Sequence, residues 1–255
     1  MRDIPTFNIG RYLAGSMDSA EQRAALSAVA KACEDHGFFL LSGHGCDALI
    51  DAVFEQSEQF FALSKEDKQA VYRDAENPLG YYDRELTKQK RDQKEVFDFK
   101  AGGHQSSNPA RQTRWPEQLP EFKLTLADFF DRFTQLSEQT MAMIFAALGI
   151  PEADVKVLCD TGFGERHTSA ARLNYYPAED PVPAADRQHV SALGDLALHH
   201  HTDPGAITLL LQDDHGGLQA LSKTDGWIDV PPQTGTIVVN VGDVLQVWTN
   251  DRCTA

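Results

Sequence analysis

The sequence predicts a mainly β protein: an antiparallel sandwich or barrel with flanking helices, preceded by an α/β region. Three observations predict it. Residues 168–249 hold short runs rich in branched and aromatic residues, broken by Asp213-Asp214-His215-Gly216-Gly217, Asp225-Gly226, Pro231-Pro232 and Gly242-Asp243. Strands at such spacing favour antiparallel architectures. The first 70 residues instead alternate strand-like and helical patterns, and residues 121–148 carry apolar positions at helical spacing.

In chain order, Ile4-Pro5-Thr6-Phe7 reads as a short strand, and Asp18-Ser19 is placed to cap a helix. Leu26, Val29, Ala30 and Cys33 fall at i, i+3, i+4 and i+7, the stripe of an amphipathic helix that ends near Gly37. Phe38-Phe39-Leu40-Leu41 is an unbroken apolar run and reads as a buried strand. His44, between two glycines, reads as a turn histidine. A second helix turns Ile50, Val53, Phe54, Phe60 and Phe61 inward, and Ser64 with Asp67 caps a third. Tyr81 and Tyr82, beside Gly80, read as loop anchors or as walls of a substrate pocket, the first role being the commoner one.

Residues 101–120 gather Gly102, Gly103, Ser106, Ser107, Asn108, Pro109, Pro116 and Pro120, a loop-rich connector where a boundary belongs. The helix that follows, 121–148, places Leu124, Ala127, Phe130, Met141, Ile144, Phe145 and Leu148 on apolar positions. Strands are expected at 168–176, 196–203, 206–212, 217–221, 227–230, 236–240 and 244–249.

With 255 residues, 42% of them hydrophobic, the chain can bury a sizeable core. Thirty-eight acidic against 23 basic residues give a formal net charge of −15, a field that repels nucleic acid and anionic membranes. The expected partner is therefore a small-molecule substrate, and no obligate protein partner is evident. Apolar runs at 38–41 and 206–211 are too short to span a bilayer, and MRDIPTFNIG lacks the regions of a signal peptide, so a cytoplasmic protein is expected. Cys33, Cys46, Cys159 and Cys253 match no zinc-type spacing and are expected to be reduced thiols, mostly packed in the core.

The chemistry centres on His199-His200-His201-Thr202-Asp203-Pro204-Gly205. In an extended strand His201 and Asp203 share a face, so a neutral imidazole and a carboxylate can converge on one cation before Pro204-Gly205 ends the strand. Such a pair suits a mononuclear iron(II) site of the two-histidine, one-carboxylate type, which leaves positions open. On spacing alone, a histidine near a strand end is more often a surface or hydrogen-bonding residue.

The surroundings add to this. HTDPGAITLLLQDDHGG, then LQAL and DGWIDVPPQTGTIVVNVGDVLQVWTNDR, closely resembles the catalytic core of the iron(II)/2-oxoglutarate-dependent dioxygenases, in the branch that includes isopenicillin N synthase and the plant-type hydroxylases. GFFLLSGHG followed by FFALSKEDK, and Gly80-Tyr81-Tyr82-Asp83 followed by Lys94-Glu95-Val96-Phe97-Asp98-Phe99, resemble the region such enzymes carry ahead of that core. The resemblance narrows the expected fold to a double-stranded β-helix, a jelly-roll type, with the metal at its open end. It implies an N-terminal dioxygenase region at 1–110, a linker and long helix at 111–165, and an Fe(II)/2-oxoglutarate dioxygenase core at 166–255 that lacks its last strands.

Arg172-Leu173-Asn174-Tyr175-Tyr176-Pro177 is similar to the family's R/K-x-N-Y-Y-P. Carried over by position, Asn174 and Tyr176 become cosubstrate contacts; an amide and a phenol can donate to carboxylate oxygens without adding charge. Without the resemblance they would read as strand residues of a sheet core. The resemblance thus implies Fe(II) on His201 and Asp203, 2-oxoglutarate as cosubstrate and O2 as oxidant, and leaves room for ascorbate. The implied reaction hydroxylates, desaturates or ring-closes at an unactivated C–H bond of a small molecule, releasing succinate and CO2.

One departure stands out. The family supplies a second histidine and an Arg-x-Ser from a later strand, whereas the nine histidines here end at His215 and the chain closes on Asn250-Asp251-Arg252-Cys253-Thr254-Ala255. The third ligand is absent from the chain. The leading expectation is a fragment or early-terminated product of a complete enzyme, with sheet edges left bare. The others are a pseudo-enzyme and a substitute ligand, for which His199 is the nominee. Side chains two apart on a strand diverge by roughly 6–7 Å, so His199 is expected to face solvent or the barrel rim. Two further functional readings stay open: an isopenicillin N synthase-type oxidase without 2-oxoglutarate, and a non-catalytic binding protein.

Overall fold

The computed structural model describes residues 4–87, 89–162, 169–194, 197–222 and 226–255, except the side chains of 158–162. The N-terminal part runs β1 (Thr6–Asn8), α1 (Ile9–Leu13), α2 (Ser19–Asp35), β2 (Phe38–Ser42), α3 (Asp47–Phe61) and α4 (Lys65–Ala70). Four strands follow, β3 (Gly80–Tyr82), β4 (Leu86–Thr87), β5 (Lys90–Arg91) and β6 (Glu95–Phe99), then the helices α5 (Pro120–Ala147) and α6 (Glu152–Gly162). The last part runs β7 (Ala171–Tyr175), β8 (Ile207–Leu210), β9 (Gln219–Ser222), β10 (Gly226–Asp229), β11 (Thr236–Val241) and α7 (Asp243–Trp248).

Contacts divide the chain into two compact units. The first consists of Met1–Ile50, Phe133–Arg166 and Thr202–Ala255. Its sheet has the order β1-β2-β11-β8, with β1 parallel to β2 and the other pairs antiparallel. Phe38 to Leu41 are all buried, as an apolar run without alternation requires, and Phe39 lies opposite Val239. Phe38, Leu40, Val230 and Val238 form a small core. α2 begins where Asp18 accepts hydrogen bonds from the N–H groups of Ala20 and Glu21. His44 is buried between Gly43 and Gly45, both at positive φ; it accepts from the Cys46 N–H on Nδ1 and donates from Nε2 to the Gly235 carbonyl. It is a turn histidine that ties the end of β2 to the turn before β11.

The second unit consists of Asp51–Arg132 and His167–His201. Its antiparallel sheet has the order β3-β6-β7. Phe60 on α3 is fully buried, stacked on Phe122 at 4.8 Å and edge-on to Phe97 at 4.8 Å. Phe99, Leu126, Phe130 and Leu173 complete this aromatic core.

Several expectations are corrected. The sequence predicts a strand at 244–249, yet 243–248 form α7. The ladder stops at Val241 because the N–H groups of Gly242, Asp243 and Val244 turn aside to the carbonyls of Ala206, Asp203 and Gly205. Residues 197–203 form no strand; the part of that expectation at residue 196, and Thr168 of another, lie outside the described residues. Leu124 is exposed on α5, because Phe122 and Leu126 take the inward positions. Cys33, Cys46 and Cys253 are free and buried, as expected, and Cys159 falls outside the described side chains.

Candidate metal centre

His201 belongs to the second unit and Asp203 to the first. His201 Nδ1 lies 2.9 Å from the carbonyl oxygen of His199. A carbonyl only accepts, so Nδ1 carries the proton and Nε2 keeps its lone pair, the tautomer a metal ligand needs. This local side-chain-to-backbone bond also competes with strand pairing, which accounts for the irregular backbone here. The shared strand face inferred from the sequence is therefore not what presents these two residues.

Asp203 is held more firmly. Its Oδ2 accepts from Thr208 Oγ1 at 2.6 Å and from Asn240 Nδ2 at 2.9 Å. Its carbonyl takes the N–H of Asp243 at 2.8 Å, and Gly242 passes so close that a Cβ there would lie 2.2 Å from the Gly205 oxygen. Two strands and the start of α7 thus fix this carboxylate. Thr208 and Asn240 escape a reading of the sequence, although a polar residue interrupting the Thr236–Val241 run, TIVVNV, is a usable signal.

Asn174 sits on β7 opposite Val96, and Tyr176 follows the strand. Leu173 turns into the core and Tyr175 stacks on Phe61 at 5.2 Å, which leaves Asn174 on the other face with Arg172. Partial desolvation of the phenol, and then the negative charge of Asp92, raise Tyr176 above its usual pKa, although the residue as a whole stays exposed. Arg172 cannot serve a cosubstrate carboxylate freely, because Glu85 and Asp98 engage it at 2.7 Å each. Arg73 bonds the same two carboxylates and lies 3.8 Å above the Tyr82 ring, so Tyr82 is a stacking partner. Tyr81 is fully buried and donates to Glu95 at 2.6 Å while Lys65 donates to its oxygen at 2.7 Å, the contacts of a core anchor.

His199 corrects another expectation. Its side chain is only 17% exposed and faces Asp92, so it does not point to solvent. Among the described residues, the ligand atoms of Asp213, Asp214 and His215 lie within 4.8 Å of one another, all three exposed. No described helix is long and apolar enough to cross a membrane.

Residues 4–122 match the family model of the non-haem dioxygenase in morphine synthesis N-terminal region, and residues 167–255 match the 2OG-Fe(II) oxygenase superfamily. Flavanone 3-dioxygenase 2 of Oryza sativa subsp. japonica is 34% identical over 92% of this chain and 64% of its own length. A 2-oxoglutarate-dependent dioxygenase of Didymella fabae is 32% identical over 96% of this chain and 76% of its own. The chain spans 61% to 76% of the length of these and two further curated relatives. Among solved structures, a full-length Neurospora crassa protein in complex with alpha-KG and 5-formyluracil superposes with a TM-score of 0.79 at 30% identity, covering 99% of this chain and 76% of that one. With both motif regions matched and relatives aligned along nearly its whole length, the chain belongs to the 2OG-Fe(II) oxygenase superfamily.

Proposed function

We propose that this chain carries the iron(II)- and 2-oxoglutarate-dependent oxidation of a small molecule, with His201 and Asp203 as iron ligands and Asn174 and Tyr176 as cosubstrate contacts. The observation that carries the proposal is the hydrogen bonding of the two ligand side chains: Nδ1 of His201 is occupied by a carbonyl, and one oxygen of Asp203 is held by two donors. Both arrangements orient a ligand from behind, as partners of metal-bound imidazoles and carboxylates do. Iron(II) with 2-oxoglutarate and dioxygen supplies, when bound, the oxidation of an unactivated C–H bond with release of succinate and carbon dioxide.

The protein's own part is binding and orientation. His201 would give its Nε2 lone pair and Asp203 its carboxylate. The raised pKa of Tyr176 keeps its phenol protonated near neutral pH, so with the Asn174 amide it can donate to a carboxylate of the cosubstrate. The antiparallel pairs β8-β11 and β9-β10 support a double-stranded β-helix for the catalytic part, with 1–110 as N-terminal region, 111–165 as linker and long helix, and 166–255 as core.

The test is succinate formation from 2-oxoglutarate in the presence of iron(II), for the chain and for His201→Ala. The proposal expects iron-dependent succinate from the chain and none from the variant; none from either would mean that two ligands do not suffice and would favour the inactive fragment or pseudo-enzyme. Iron-dependent oxygen consumption with no succinate would favour the isopenicillin N synthase-type oxidase, and equal succinate from both proteins would remove His201 from the site.

A further inference from the structure

The residues ahead of His201 carry a buried polar pair that the proposed oxidation does not use. Asp92, just after β5, has a side chain 1% exposed. Its Oδ2 accepts from Thr87 Oγ1 at 2.8 Å and lies 3.3 Å from Lys94 Nζ. Among the described residues its Oδ1 has no hydrogen-bond partner, and neither has Nδ1 of His199; the two buried atoms face each other at 3.7 Å. A shift of less than an ångström would join them. The His199 ring lies against the bare Cα of Gly194, where a Cβ would stand 2.8 Å from its Cε1 and 3.1 Å from the Arg91 oxygen.

The same stretch is fastened through its backbone. Arg91 N–H donates to the Ala192 carbonyl at 2.9 Å, and Gly194 N–H donates to the Arg91 carbonyl at 2.8 Å. The chain before the ligand is thus pinned on β5 at 192–194, and the His199 ring rests on Gly194. Next in line is the His199 carbonyl, which takes the Nδ1 proton of His201.

We infer that His199 and Asp92 are positioning residues for the metal ligand: their pairing over Gly194 holds the residue 199 carbonyl where it selects the Nδ1–H tautomer of His201 and leaves Nε2 for the cation. His199 is not a substitute ligand, since its ring is turned to Asp92. The inference rests on His201 being an iron ligand, but the tautomer it selects can be read with no metal present.

Two readouts test it on the 255-residue chain and on His199→Ala, His199→Asn, Gly194→Ala and Asp92→Asn: the 15N–1H ring spectrum of His201, and a Co(II) titration with His201→Ala as control. Thermal unfolding checks that each variant is folded. The Nδ1–H tautomer is expected in the parent. His199→Ala and Gly194→Ala should move His201 to a tautomer mixture and weaken Co(II) binding by about 10–100-fold. His199→Asn, whose amide can still donate to Asp92, should restore both. Folded His199→Ala and Gly194→Ala proteins with the parent spectrum and affinity would overturn the inference. A parent that binds no Co(II), with a tautomer that still responds to these variants, would keep the positioning role and count against the iron reading instead.

Discussion

Gly242 has no room for a side chain: a Cβ would meet the carbonyl oxygens of Gly205 at 2.2 Å and Asp203 at 2.7 Å, both backbone atoms. Gly242→Ala is expected to cost about 2–4 kcal/mol, as overpacking against backbone does, read as a lower denaturation midpoint; an unchanged midpoint would mean that the loop yields freely. Tyr176→Phe removes one donor from the proposed cosubstrate contact. A hydrogen bond to a charged group contributes about 1.5 kcal/mol or more, so calorimetry should find 2-oxoglutarate bound at least about tenfold more weakly; equal affinity would remove Tyr176 from the site. At this scale the motif residues His201, Asp203, Asn174 and Tyr176 could be nominated from the sequence because the motifs that carry them are local. Thr208, Asn240 and the inward turn of His199 could not, because each is defined by a partner that only folding brings near.

At the scale of elements, the charges between β3, β6 and β7 form one network. Arg73 and Arg172 both bridge Glu85 and Asp98, and Lys94 adds a contact to Glu85 at 3.0 Å. Burial works to raise the Glu85 carboxyl, but Arg172, Lys94 and Arg73 outweigh it and hold the pKa at about 2, below the ordinary 4.5. A depressed carboxylate stabilises the fold above its unfolded pKa and loses that contribution as pH falls through the folded one. Glu85→Gln should therefore lower stability by about 2–3 kcal/mol at pH 7, with the gap to the parent closing as pH falls from 4.5 toward 2. Chemical denaturation across that range measures it, and a gap independent of pH would contradict it. Phe60→Ala, at the centre of the aromatic core, is expected to cost about 3–5 kcal/mol by the same measurement.

Helix starts were legible from Asp18 and Ser64, whose side chains do cap α2 and α4. The segment 243–248 was not. Val244, Leu245, Val247 and Trp248 fit a short helix as well as a strand, and in so short a run periodicity does not decide. What decides is that the preceding N–H groups are taken by the carbonyls around Asp203.

Across the whole molecule, a net charge of −15 sets long-range behaviour. A labelled DNA duplex should show no anisotropy change with this chain at about 0.1 M salt, and saturable binding would contradict the small-molecule reading. Which distant segments gather into each compact unit was not legible from local pattern: β2 pairs with β11 across most of the chain, and no stretch of sequence announces that register. The family motifs carried the functional reading further than periodicity carried the topology. The central claim is that His201 and Asp203 hold iron, and an anaerobic iron(II) titration of the chain, of His201→Ala and of Asp203→Ala tests it most directly. One ion per chain is expected, with affinity falling at least about tenfold in each variant. Binding unchanged by both substitutions, as it would be if the ion sat on the exposed Asp213, Asp214 and His215, would contradict it.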